Sequence, residues 1–118
     1  MNDSILQNTS KEFAKSIILL CRKMKETGTE SALTSQLLRA GTSVGANIHE
    51  SKYAQGTKDF ISKLQIALKE CYETEYWIEL FVKADILDRD VAKNLYNECG
   101  TIRRLLISYI NTAKENMK

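Results

Sequence analysis

Apolar residues return every three or four positions in four separate stretches of the chain. That period is the mark of a helix with one buried face. From about Ser4 to Thr27 the stripe is Phe13, Ile17, Leu20, Cys21 and Met24, and Gly28 follows as a left-handed helix stop. Thr29 or Ser31 then offers a cap for a second helix, from about Glu30 to Gln55, whose line is Leu33, Leu37, Val44 and Ile48. Gln55-Gly56 breaks the pattern, and Thr57 is placed to cap a third helix over about Lys58 to Ala84. Asp88 is a good N-cap for the fourth, from about Arg89 to Met117, which carries Val91, Leu95, Ile102, Leu105, Leu106, Tyr109 and Ala113. Short links force successive helices antiparallel. The prediction is an all-α, up-down-up-down four-helix bundle, one domain over residues 1–118.

Three departures from a plain bundle pattern carry more information. Gly41 and Gly45 form a GxxxG with Ala40 and Ala46 beside it, leaving the middle of the second helix nearly bare. Each glycine costs roughly 1 kcal/mol relative to alanine in a helix, so a close helix–helix approach is the expected reason. Gly100, within the fourth helix, marks a second expected close contact. A polar line, Ser43, Asn47 and Glu50, runs beside the second stripe with Arg39 one turn earlier. Either it is a solvated face, or it is a buried or interfacial network in which Glu70 and Glu73 of the third helix are partners; the matching groups favour the network.

The third helix has more apolar surface than one core can bury. Phe60, Leu64, Ala67, Cys71, Ile78 and Phe81 form one face, and Ile61, Leu68, Tyr72 and Tyr76 lie next to it. Ile66, Trp77 and Leu80 widen it further. Oligomerisation is the natural outlet, with Ile61, Tyr72, Tyr76 and Trp77 as the expected interface residues.

Composition narrows the function classes. The chain has 118 residues, no proline and five glycines, with 43% hydrophobic and 27% charged residues, as an ordinary globular domain would. Three cysteines outside any CxxC spacing suit a reducing cytoplasm, each acting as a small core hydrophobe. The start lacks the basic end and apolar run of a secretion signal, and no stretch approaches the ~18 apolar residues of a membrane span. Charge is unevenly spread: five basic against two acidic residues in 4–27, two against two in 30–54, four against six in 57–85 and six against four in 88–118. Lys11, Lys15, Arg22, Lys23 and Lys25 of the first helix, with Arg103 and Arg104 of the fourth, are the candidate nucleic-acid-binding residues.

Catalytic chemistry is poorly represented. A di-metal bundle needs Glu-x-x-His on two helices, and Ala46 stands three residues before the only histidine, His49. Adjacent helical residues point about 100° apart, so His49 and Glu50 are no ligand pair. The carboxylates Glu70, Glu73, Glu75 and Glu79 are expected to bridge to Arg39, Lys63, Lys83 or a neighbouring subunit. GTSVGAN lacks the lysine and spacing of a phosphate-binding loop. No enzyme activity, metal or cofactor is expected.

The run LLRAGTSVGANIHES, followed after a turn by DFISKLQIALKECYETEYWIEL, resembles the four-helix-bundle family encoded by intervening sequences in bacterial large-subunit (23S) ribosomal RNA genes. The matching positions include Arg39, Ser43, Val44, Asn47, Ile48, Glu50, Asp59, Phe60, Leu64, Ala67, Glu70, Glu73, Tyr76 and Trp77. The resemblance implies a ring-like homopentamer without enzymatic activity. The bundle is also similar to the accessory protein of diversity-generating retroelements, where a basic pentamer binds nucleic acid and the reverse transcriptase. Together these suggest a cytoplasmic, non-enzymatic oligomeric scaffold that associates weakly with structured RNA or other nucleic acid. The alternative is an adaptor that docks a partner protein through the third helix or a ring surface. No membrane partner is expected.

Overall fold

The computed structural model describes residues 2–118, with side chains from Ile5 onward. Four helices follow one another: α1 (Asn2–Glu26), α2 (Ser31–Ser51), α3 (Thr57–Lys83) and α4 (Arg89–Asn116). They form a rod of 50 × 21 × 21 Å. Each helix packs on the next, and α4 returns to α1 by the loosest of the four contacts. Among the described residues the diagonal pairs have no close backbone approach, so α1 and α3 occupy opposite corners. The all-α four-helix bundle is therefore as the periodicity predicts.

The core is the predicted set of stripes. Phe13, Ile17, Leu37, Val44, Ile48, Leu64, Ile78, Phe81, Ile102 and Leu106 are each at most 1% exposed. Cys21, Cys71 and Cys99 are buried free thiols among them. Two assignments change. Ile61, expected at an oligomer interface, is buried in this chain's own core, and Val91, expected in the core, is exposed. Ile61 joins the common core of the four helices, while Val91 stands in the first turn of α4, just after its cap.

Chemistry at the links explains their geometry. Gly28 has φ +88°; the Thr29 N–H donates to the Met24 carbonyl at 2.9 Å and the Gly28 N–H to Lys25 at 3.2 Å. This is a complete Schellman stop. Asp85, at φ +57°, repeats it after α3, where the Ile86 N–H donates to the Phe81 carbonyl at 2.8 Å. Asp88 caps α4 as predicted, accepting from the Asp90 and Val91 N–H groups at 3.0 and 3.2 Å. Thr29, Ser31 and Thr57 do not cap. The N-cap positions fall on Glu30 and Gly56, neither making a side-chain cap. Thr57 is thus already inside the helix, and Asp59 instead reaches back to the Gln55 N–H at 3.0 Å.

The two glycines of α2 do what the bare surface predicts. A Cβ at Gly41 would lie 2.8 Å from Cγ1 of the fully buried Ile17, and one at Gly45 would lie 3.4 Å from the Ser10 carbonyl oxygen. They let α1 approach the α2 backbone. Gly100 marks no such approach: a Cβ there would meet only the guanidinium ends of Arg103 and Arg104, on its own helix.

Candidate nucleic-acid interface

The third helix spends its carboxylates inside the chain. Arg39 of α2 bridges Glu70 at 3.3 Å and also pairs with Glu73. Glu73 accepts as well from the Trp77 indole N–H at 3.1 Å. The Arg39 guanidinium, then the indole, hold the Glu73 carboxyl below its ordinary range. Lys63 reaches Glu50 at 3.0 Å, and the Asn47 amide donates to the Ser43 carbonyl at 2.9 Å. Arg39 and Glu50 thus join α2 to α3, whereas the Asn47–Ser43 bond stays within α2. These pairs lie on the bundle surface: the Arg39 side chain is 49% exposed.

On the other side of α3, Glu75 takes a partner that the periodicity does not suggest. Arg103 of α4 donates through Nε to Glu75 at 2.9 Å, with the Glu75 side chain only 7% exposed. The same guanidinium lies 6.0 Å from the centre of the Tyr72 ring. Arg103 thereby helps hold α4 on α3, so unlike the α1 cations it already has an internal partner. A buried carboxylate needs such a partner, because an unpaired one is strongly disfavoured. Glu79 presses the Tyr96 phenol above its ordinary range by hydrogen bonding to it. Burial pushes the Cys21 thiol up to about 11, and contact with Cys71, then burial, raise Cys99 further.

The outward face of α3 retains apolar surface. Tyr72, Tyr76 and Ile66 are 51%, 57% and 40% exposed. Trp77 is half-buried, edge-on to Tyr76 and tilted against Phe81, with ring centres 5.1 and 6.1 Å away. Of the four expected interface residues, Tyr72 and Tyr76 are thus the ones this chain leaves open; Ile66, also exposed, lies about 120° around the helix from Tyr72.

The first helix is different. Lys11, Lys15, Arg22, Lys23 and Lys25 are exposed, and among the described residues none lies in an ion pair. Their helical angles divide them. Lys11, Lys15, Arg22 and Lys25 fall within about 80° of one another on the outward face, whereas Lys23 turns about 120° away from Lys11. Arg104 of α4 is exposed and sits 3.4 Å from the Thr101 hydroxyl. Across α2, the face at Arg22 and Lys25 borders a groove of about 500 Å³. Its far wall is Ser31, Ser35, Leu38 and Thr42. Sequence reasoning missed these α2 residues, although their four-, three- and four-residue spacing was the available signal. At the loose α1–α4 seam, burial and then the nearby Glu12 charge push the Glu98 carboxyl up.

His49 is exposed, its ring 5.6 Å from that of Tyr53. Among the described residues, no three His, Cys, Asp or Glu side chains come together as a metal site, and no helix is long and apolar enough to cross a membrane.

These features define an antiparallel four-helix bundle with a basic edge on one corner and an aromatic face on the opposite one. The chain belongs to the 23S rRNA-intervening sequence protein family, whose model matches residues 2–108. It is similar to the solved structure of a protein of unknown function from the S23 ribosomal protein family of Bacteroides thetaiotaomicron VPI-5482. The two are 42% identical, with 94% of this chain and 99% of the other covered and a TM-score of 0.91. No curated protein matches the chain.

Proposed function

We propose that this protein is a non-enzymatic, cytoplasmic scaffold that assembles into a homo-oligomer and associates weakly with structured RNA. A ring-like pentamer is the assembly that the family resemblance implies. The single observation behind the nucleic-acid reading is the exposed, unpaired set of cations on α1, with Arg104 of α4 as an outlying member. A corner of Lys and Arg without internal partners attracts a phosphate backbone, and a ring repeats that corner around its axis. Assembly through α3 leaves it facing outward, because α1 lies diagonally opposite.

Light scattering on the purified protein, with absorbance at nucleic-acid and protein wavelengths on the same peak, tests both halves. A closed oligomer carrying nucleic acid that moderate salt strips away is the expected result. A stable monomer, or RNA affinity unchanged between low and moderate salt, contradicts the proposal. Tyr76→Ala is expected to lower the oligomer mass while leaving helical circular dichroism intact. Helix loss without a prior mass change would count against α3 as the interface.

The exposed Tyr72, Tyr76 and Ile66 also favour a second reading, an adaptor that docks a partner protein through α3. Pull-down from the native host that recovers abundant RNA and no protein would count against it.

A further inference from the structure

We infer that the groove between α1 and α2 is the track on which the backbone of duplex RNA lies. This inference rests on the nucleic-acid reading above and narrows it to one surface. Lys11, Lys15, Arg22 and Lys25 fall on one face of α1, over about 21 Å at 1.5 Å per residue. Arg22 and Lys25 border the groove directly. The opposing wall supplies the Ser31, Ser35 and Thr42 hydroxyls. Thr42 donates to the Leu38 carbonyl at 2.7 Å, whereas the Ser31 and Ser35 hydroxyls have no partner among the described residues. One wall thus sets two cations beside Ile18 and Cys21, and the other sets hydroxyls on either side of Leu38; cations and hydroxyls are the groups that most often position a sugar–phosphate backbone.

The choice of occupant follows from what lines the groove. Single strands are held by stacking bases on aromatic rings, and no aromatic residue lines this groove. The exposed tyrosines of α3 are on the opposite corner. An amphipathic helix from a protein partner needs a run of apolar contacts at helical spacing; the partly exposed aliphatic residues here are Ile18 and Leu38. Duplex RNA asks for neither. It is read by its shape, its phosphates and its 2′-hydroxyls, which the free serine hydroxyls can meet.

The test measures binding of a short RNA duplex, and of the DNA duplex of the same sequence, across a salt series. Arg22→Gln with Lys25→Gln is expected to weaken RNA binding about tenfold and to lower the salt slope by about two. Lys93→Gln with Lys114→Gln, a charge-matched change on α4, is expected to stay within about twofold, as for cations outside the contact. RNA is expected to bind several-fold tighter than DNA, and Ser31→Ala with Ser35→Ala to narrow that difference. Equal losses from the α1 and α4 pairs would overturn the groove, leaving only the diffuse field of the protein. So would full affinity in the Arg22/Lys25 variant, or RNA and DNA bound alike. Preferential binding of an acidic helical peptide at this groove would replace RNA as occupant. If the unaltered protein binds neither duplex, the nucleic-acid reading itself fails, a result distinct from loss of the groove alone.

Discussion

The corners built by α1 and α3 are both charged, and they use charge in opposite ways. Glu70, Glu73, Glu75 and Glu79 of α3 each have a partner on another helix: Arg39 for the first two, Arg103 for the third, Tyr96 for the fourth. The cations of α1 have no ion-pair partner among the described residues. These four α3 carboxylates therefore belong to the fold, while the α1 cations contribute little to holding the chain together and are open to an external polyanion. The contrast separates residues whose loss unfolds the bundle from residues whose loss is felt only in binding.

The sharpest way to break the contrast is to remove Arg103. Arg103→Ala leaves Glu75 buried without its guanidinium, and it is expected to cost about 3 kcal/mol, toward the low end for a buried pair because Arg103 is partly exposed. Urea unfolding would read it as a fall in midpoint. A loss below about 1 kcal/mol would place this pair with ordinary surface bridges. Recovery of stability on adding Glu75→Leu would show that the penalty belongs to the stranded carboxylate.

Backbone approach between α1 and α2 gives the next effect. Gly41→Ala gains roughly 1 kcal/mol of helix propensity, but its methyl runs into the stiff, buried Ile17. Overpacking costs about 1–3 kcal/mol, so a net loss near 1 kcal/mol is expected. A Cβ at Gly100 would crowd the Arg103 and Arg104 guanidinium ends at 3.2 and 3.3 Å rather than a packed core side chain, so Gly100→Ala is expected to lower the urea midpoint less than Gly41→Ala does. Equal responses at the two positions would contradict the different packing at the two glycines.

The exposed bridge is worth less. Arg39→Ala is expected to cost at most about 1 kcal/mol. Its effect has a defined pH dependence. Glu73 has a folded pKa below its ordinary 4.5, so its contribution is present above that value and is lost as pH falls through the folded pKa. Glu98 has the opposite sign: held above 4.5, its ionised form opposes folding until acid protonates it. Arg39→Ala should therefore flatten the acid limb of a stability–pH curve, and Glu98→Gln should steepen it. An unchanged limb in the Arg39 variant would remove Glu73 from the account.

The smallest effect belongs to α1. Lys11→Gln with Lys15→Gln is expected to leave stability within about 0.5 kcal/mol, as for surface changes without partners. A thermal melt checks it. A large loss would mean that these cations hold the fold after all, and the contrast between corners would collapse.

The periodicity by itself determined four helices, their order, their antiparallel neighbours and most of the core. Burial of one helix face is a local, repeating property, and a three- to four-residue stripe is its direct imprint. The Gly28 stop, the Asp88 cap and the bare GxxxG were legible for the same reason: each depends on residues within one turn or on the missing side chain itself. Only the tertiary structure decided which helix corner each charge faced. Arg103 looks in sequence like any exposed helix cation, yet Glu75, 28 residues away, turns it inward. Ser31, Ser35 and Thr42 became one wall of a groove only when α1 folded alongside them, and Ile61 became core only when the other helices packed around α3. Such pairings depend on which surfaces meet across helices, and no window of the chain contains both partners.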